Sequence, residues 1–146
     1  MMGNSLANRV KFALEQGNVV DLVARGFTTA SDTITVNSCK MVGNTIVADI
    51  VSGHATTAIL GITAPFGFKV IGGHVLATAA KANGIVTVKN VTTAITDAVV
   101  CAVDKVVTPV GTIDDAQYYV AEDVVMNIVI AVDGSAGIVV LDIIPT

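Results

Sequence analysis

The chain has 146 residues, a net charge of −4 and a pI near 4.8, with 53% hydrophobic and only 14% charged residues. Typical soluble domains carry about 25% charged residues, so apolar surface beyond the needs of one core is expected to meet partners. The acidic balance, with four Phe, two Tyr and no Trp, argues against nucleic acid as a partner.

A membrane is also an unfavoured partner. A spanning helix needs about 20 consecutive apolar residues. The longest charge-free stretch, between Asp49 and Lys69, is broken by Gly53, His54, Gly61, Pro65 and Gly67. Arg9, Lys11 and Glu15 stand where a secretory signal would need an apolar run. The expectation is a soluble, non-secreted chain.

The first elements differ from the rest. Asn4 or Ser5 is placed to cap a helix that runs to Gln16 and ends at Gly17. Leu6, Val10, Ala13 and Leu14 share one face of that helix, and a helix this short needs a surface to lie on. Val19 to Arg25 fits a short helix or a strand, and Gly26 ends it. Residues 1–30 are therefore expected to form an N-terminal arm or helix segment, and residues 31–146 a β-sandwich domain.

From Thr33 onward the texture is that of strands. Val, Ile and Thr make up about two-fifths of the chain, a composition suited to a pleated surface. Ile34 and Val36 alternate with Thr33, Thr35 and Asn37. Ile46, Ala48 and Ile50 follow Gly43-Asn44, and Phe66, Phe68 and Val70 form a further alternating set. Val86 and Val88 face away from Thr87 and Lys89, and Val139, Leu141 and Ile143 away from Val140 and Asp142. Asn83-Gly84 is a hairpin signal. Asp133-Gly134-Ser135-Ala136-Gly137 marks a second break, and Gly72-Gly73 a bulge or bend. The spacing predicts an all-β antiparallel sandwich or barrel of about eight strands.

Val124–Val132 is apolar on both faces. Such a strand is central to a sandwich or lies at an interface. The face carrying Val124, Met126, Ile128 and Ile130 is the expected contact between like subunits. Charge is polarised as well. Residues 1–89 carry +3 and residues 90–146 carry −7. The more basic part, with Arg9, Lys11 and Arg25, is the expected contact with a different partner.

Candidates for chemistry are few. His54 and His74 have no evident third metal ligand, and Cys39 and Cys101 belong to no CxxC motif; buried free thiols are the expected state of both cysteines. Asp114, Asp115, Glu122 and Asp123 surround Tyr118-Tyr119 without the spacing of a calcium loop, and read as a solvated loop. No nucleophile elbow, phosphate loop or zinc-protease motif is present. The chain is expected to be no enzyme and to need no cofactor and no metal.

Residues 65–132 carry a resemblance. Pro65-Phe66-Gly67-Phe68-Lys69-Val70 leads to Ala77-Thr78-Ala79-Ala80, then to Gly84-Ile85-Val86-Thr87-Val88-Lys89-Asn90 and Thr92-Thr93-Ala94-Ile95-Thr96-Asp97-Ala98. Gly111-Thr112-Ile113-Asp114-Asp115-Ala116 and Val120-Ala121-Glu122-Asp123-Val124 complete it. This order resembles the capsid decoration, or cement, proteins of tailed bacteriophages. The resemblance implies a jelly-roll-like sandwich, a homotrimer, and the major capsid protein as partner on the virion exterior after synthesis in the bacterial cytoplasm. It also implies Gly after Asn90 and near Glu122-Asp123. Val91 stands at the first position, so that tight turn is expected to be rebuilt. The alternative is a receptor- or glycan-binding module of a phage fibre or spike, working through Asp114, Asp115, Tyr118 and Tyr119.

Overall fold

The computed structural model describes residues 19–32, 35–51, 58–79, 84–100, 105–131 and 136–146. The expected helix of residues 4–17 and the alternation at Ile34 lie outside the described residues, as do Arg9, Lys11, His54 and Cys101.

Among the described residues, thirteen strands form two antiparallel sheets that pack as a sandwich. The first sheet holds β1 (Val19–Asp21), β3 (Thr35–Val42), β4 (Thr45–Val51), β13 (Ala136–Pro145), β6 (Phe68–Ala79) and β10 (Val107–Pro109) in that spatial order. A short β11 (Tyr119–Val120) also pairs with β6. The second sheet holds β2 (Thr28–Asp32), β5 (Ala58–Thr63), β12 (Val125–Ala131), β7 (Ile85–Asn90) and β8 (Thr93–Ala94), with β9 (Val99–Val100) also on β7.

The pairing defines a jelly roll. The eight-strand roll consists of β4, β5, β6, β7, the β8/β9 edge, β10, β12 and β13. Within it first pairs with eighth, second with seventh, third with sixth and fourth with fifth, as in a long hairpin rolled on itself. The described strands exceed the expected eight because β1 and β3 extend one sheet beyond β4, β2 extends the other beyond β5, β11 adds a short pair on β6, and one roll strand is divided into β8 and β9.

Alternation places the core. Ile46, Ala48 and Ile50 of β4, Leu60 and Ile62 of β5, and Phe68, Val70, Val75 and Ala77 of β6 point between the sheets. Val86 and Val88 of β7, and Val139, Leu141 and Ile143 of β13, do the same. Burying each large aliphatic side chain contributes about 1.5–3 kcal/mol, so the interleaved rows carry the fold. The turn signals divide in two. Gly43, with φ 61, makes the tight β3–β4 hairpin, in which Val42 pairs with Thr45. Asn83 lies outside the described residues, and the strands on either side of it, β6 and β7, do not pair with each other. Both edges of β6 are taken by β13 and by β10 with β11, so β7 starts in the other sheet. The break after Val132 likewise leads from one sheet to the other.

The bulge falls where the glycines stand. Asp142 pairs with Gly72 and Ile143 with Val70, leaving Ile71 as the extra residue of β6. Gly73 has φ 154, and a Cβ there would collide with the carbonyl oxygen of Val140.

The expected arm boundary at residue 30 is corrected. Val19–Asp21 pairs with β3, and Thr28–Asp32 pairs with β5. Between them runs a 3-10 helix, η1 (Val23–Arg25), so the ambiguous segment is strand first and helix second. Gly26, with φ 85, ends η1 by donating its N–H to Val23 O. Leu22 and Phe27 are fully buried, and Phe27 packs edge-on against Phe66 at 5.3 Å, which in turn meets Phe68 at 6.5 Å. The apolar side chains at 22 and 27 fasten residues 19–32 to the sandwich.

Candidate interaction surface

One end of the sandwich is closed by described loops tied to one another. Asp123 N donates to Ala64 O at 3.0 Å, Thr146 N to Gly67 O at 2.8 Å, and Val70 N to Tyr118 O at 2.9 Å. The Asn90 side-chain amide donates to Gln117 O at 3.2 Å and to Tyr119 O at 2.8 Å. The strands that border residues 52–57, 80–83 and 132–135 end on the opposite side.

The acidic candidates spread out at and beside this end. Asp114 spends a carboxylate oxygen on the N–H of Ala116 at 2.8 Å, which shapes its own loop. Asp115, Glu122 and Asp123 are exposed. Asp97 holds Thr112 N at 2.8 Å on the wall of a shallow groove of about 520 Å³, bordered by residues 94–97 and 112–115. Among the described residues no three His, Cys, Asp or Glu side chains gather at metal-holding distance. Tyr118 turns its ring to the Lys69 ammonium at 5.3 Å, and Tyr119 stands half exposed above Gly67, whose missing Cβ leaves room for the phenol oxygen. His74 is half-buried on the outer side of β6, between Val140 and Pro109 in register.

Cys39 is a free, half-buried thiol in β3. Burial pushes its pKa up to about 11, so it stays protonated at neutral pH and is a poor nucleophile.

The expected subunit contacts on β12 are corrected. Met126, Ile128 and Ile130 are at most 1% exposed because they face the opposite sheet, and Val124 packs partly against the same core. That face is consumed within the chain. The outward face of β12 is the other one, with Val125, Asn127, Val129 and Ala131 half-buried among their sheet neighbours. Arg25 is exposed on η1, as is Val23.

Sequence reasoning missed the residues that stand out most. Val100, Val106 and Val107 are exposed large aliphatics where the β9 and β10 edges adjoin. Alternation gave no sign of this, because these strands have only two or three residues. The β7–β8 turn is not rebuilt. It remains a two-residue connection, and Val91 takes φ 56 in the left-handed region. Asp123, at the other position where the resemblance implies Gly, has φ 59. A β-branched residue in that region is a marked outlier.

Among the described residues no helix is long and apolar enough to cross a membrane. Comparison with protein-family models, with curated proteins and with solved structures gave no match.

Proposed function

We propose that this chain is a non-enzymatic virion structural protein that binds and stabilises a bacteriophage capsid shell from the outside, as a homotrimer on the major capsid protein. The observation that carries the reading is the apolar outer surface: Val23, Ile71, Val100, Val106 and Val107 stand exposed on the jelly roll. Such a surface gains free energy by covering partners, and repeated attachment to a symmetric shell multiplies it through avidity. The resemblance of residues 65–132 to decoration proteins supports the same reading. Arg25 and Val23, together on η1, give a basic and apolar corner suited to the shell. The test is co-sedimentation with purified shells. The protein is expected to pellet with them and to raise the temperature at which they rupture; a protein that stays in the supernatant contradicts the reading.

A second reading is a glycan- or receptor-binding module, favoured by the half-exposed Tyr119 ring. Glycan binding that is lost in a Tyr118→Ala/Tyr119→Ala double variant would support it.

A further inference from the structure

We infer that residues 4–16 dock in cis across the loop-closed end of the sandwich, the end formed by residues 64–67, 117–123 and 143–146. The inference is independent of the proposed function, since it concerns the chain before it meets any partner.

The sequence supplies the occupant. At about 100° per residue, Leu6, Val10, Ala13 and Leu14 span roughly 100° of a helix, Arg9 and Lys11 border that stripe on its two sides, and Glu15 falls opposite. The side that carries the stripe is therefore flanked by two positive charges. Phe12 falls outside the stripe. A helix of about a dozen residues is marginal alone, so the stripe needs a surface.

Register sets where this segment leaves the sandwich. Val19 pairs with Val42, Val42 with Thr45, Thr45 with Asp142 and Asp142 with Gly72, in one row across the first sheet. β1 is antiparallel to β3, and β3 ends at the Gly43 hairpin, so the chain before Val19 heads toward that hairpin and the closed end. Two residues past Asp142, Ile144 pairs with Lys69, and Lys69 with Tyr119. Ile144 is 48% and Tyr119 46% exposed, and Pro65 is exposed on the adjoining loop.

Reach matches spacing. With residues 17 and 18 extended and a helix before them, Leu14, Val10 and Leu6 fall roughly 11, 17 and 23 Å from Val19. At about 4.8 Å per strand, β13, β6 and β11 stand about 14, 19 and 24 Å from β1. The stripe thus covers the interval from Ile144 to Tyr119.

Charge matches too. Residues 111–124 hold Asp114, Asp115, Glu122 and Asp123 and no Lys or Arg. Glu122 and Asp123 are exposed on the segment that crosses this end, where Asp123 N donates to Ala64 O. Lys69, the base beside them in the fold, is turned over the Tyr118 ring. The short tether holds the segment at an effective concentration in the millimolar range, so its own sandwich outcompetes a neighbour at micromolar concentration.

The test is amide hydrogen exchange of residues 4–16 in the full chain at micromolar concentration, read by mass spectrometry against a synthetic peptide of residues 1–18. Exchange in the chain is expected to be at least about tenfold slower than in the peptide. Leu14→Asp is expected to bring it back to the peptide's rate, and Glu122→Lys/Asp123→Asn to speed it at least about threefold. Lys105→Glu, at the opposite end, and Phe12→Ala, off the stripe, are expected to leave the protection in place. A parent that exchanges as fast as the peptide, or protection that survives Leu14→Asp or the acidic double variant, would overturn the inference. If the double variant melts lower than the parent, Leu14→Asp decides. Carbodiimide joins Lys11 to a neighbouring carboxylate. In an equal mixture of heavy-isotope-labelled and unlabelled chains every such link is expected within one chain, and links between labels would overturn the docking in cis. A protected segment on a chain that attaches to no shell removes the proposed function alone; attachment by a chain whose segment exchanges freely removes this inference alone.

Discussion

Asn127 holds Val91 in place. The Asn127 amide nitrogen lies 2.7 Å from the Val91 carbonyl oxygen, while Val91 itself keeps φ 56. Replacing Val91 by Gly removes the steric cost of that conformation but raises the entropy lost on folding. A net gain of about 0.5–1 kcal/mol is expected, seen as a rise of roughly 2 °C in the melting temperature. Asn127→Ala is expected to lose about 1 kcal/mol, since it leaves the turn carbonyl without its donor. Denaturant titration of both variants checks the pair.

Gly73 leaves no room for a side chain. Its φ is 154, and a Cβ would strike the Val140 carbonyl oxygen of β13, whose pairing with β6 lies at the centre of the first sheet. Gly73→Ala is expected to cost about 3 kcal/mol or more. Gly72→Ala, where a Cβ meets open space, is expected to cost far less. Equal melting temperatures for the two variants would contradict this difference.

Cys39 makes stability fall at alkaline pH. Its folded pKa of about 11 lies above the unfolded value of 9.0, so the folded state holds the thiol proton more tightly. The contribution is fully present below pH 9 and is lost as pH rises from there through about 11. The Cys39→Ala variant is expected to show a shallower loss over that window. At pH 8 the folded thiol is expected to react with a disulfide reagent much more slowly than the unfolded one.

Truncation separates the two parts of the N-terminal segment. Removing residues 1–18 leaves every described strand intact, and the sandwich is expected to keep its β circular dichroism. Removing residues 1–26 deletes β1 and the fully buried Leu22. Loss of a buried leucine alone costs about 2–5 kcal/mol, so that chain is expected to be unfolded or to melt far lower.

The sandwich was legible because side-chain alternation is local. Ile46, Ala48 and Ile50, or Val139, Leu141 and Ile143, declare their buried face from sequence spacing alone. Partner choice is not local. Asn83-Gly84 looks like a hairpin, yet β6 and β7 part to different sheets because β13 and β10 occupy the edges of β6. The same limit misassigned β12. Both of its faces are apolar in sequence, and only the position of the opposite sheet shows that Met126, Ile128 and Ile130 belong to the core. The candidate surface was legible in kind, as excess apolar content, but its residues were not. Val91 departs from the expected glycine, and its conformation follows from bonds to Val125 and Asn127, more than thirty residues away.

The most direct measurement is electron cryo-microscopy of phage particles with and without this protein. The account predicts discrete extra density on the outside of the shell at symmetry-related positions, each lobe large enough for several jelly rolls. A bare shell, or density confined to the tail tip, would contradict it.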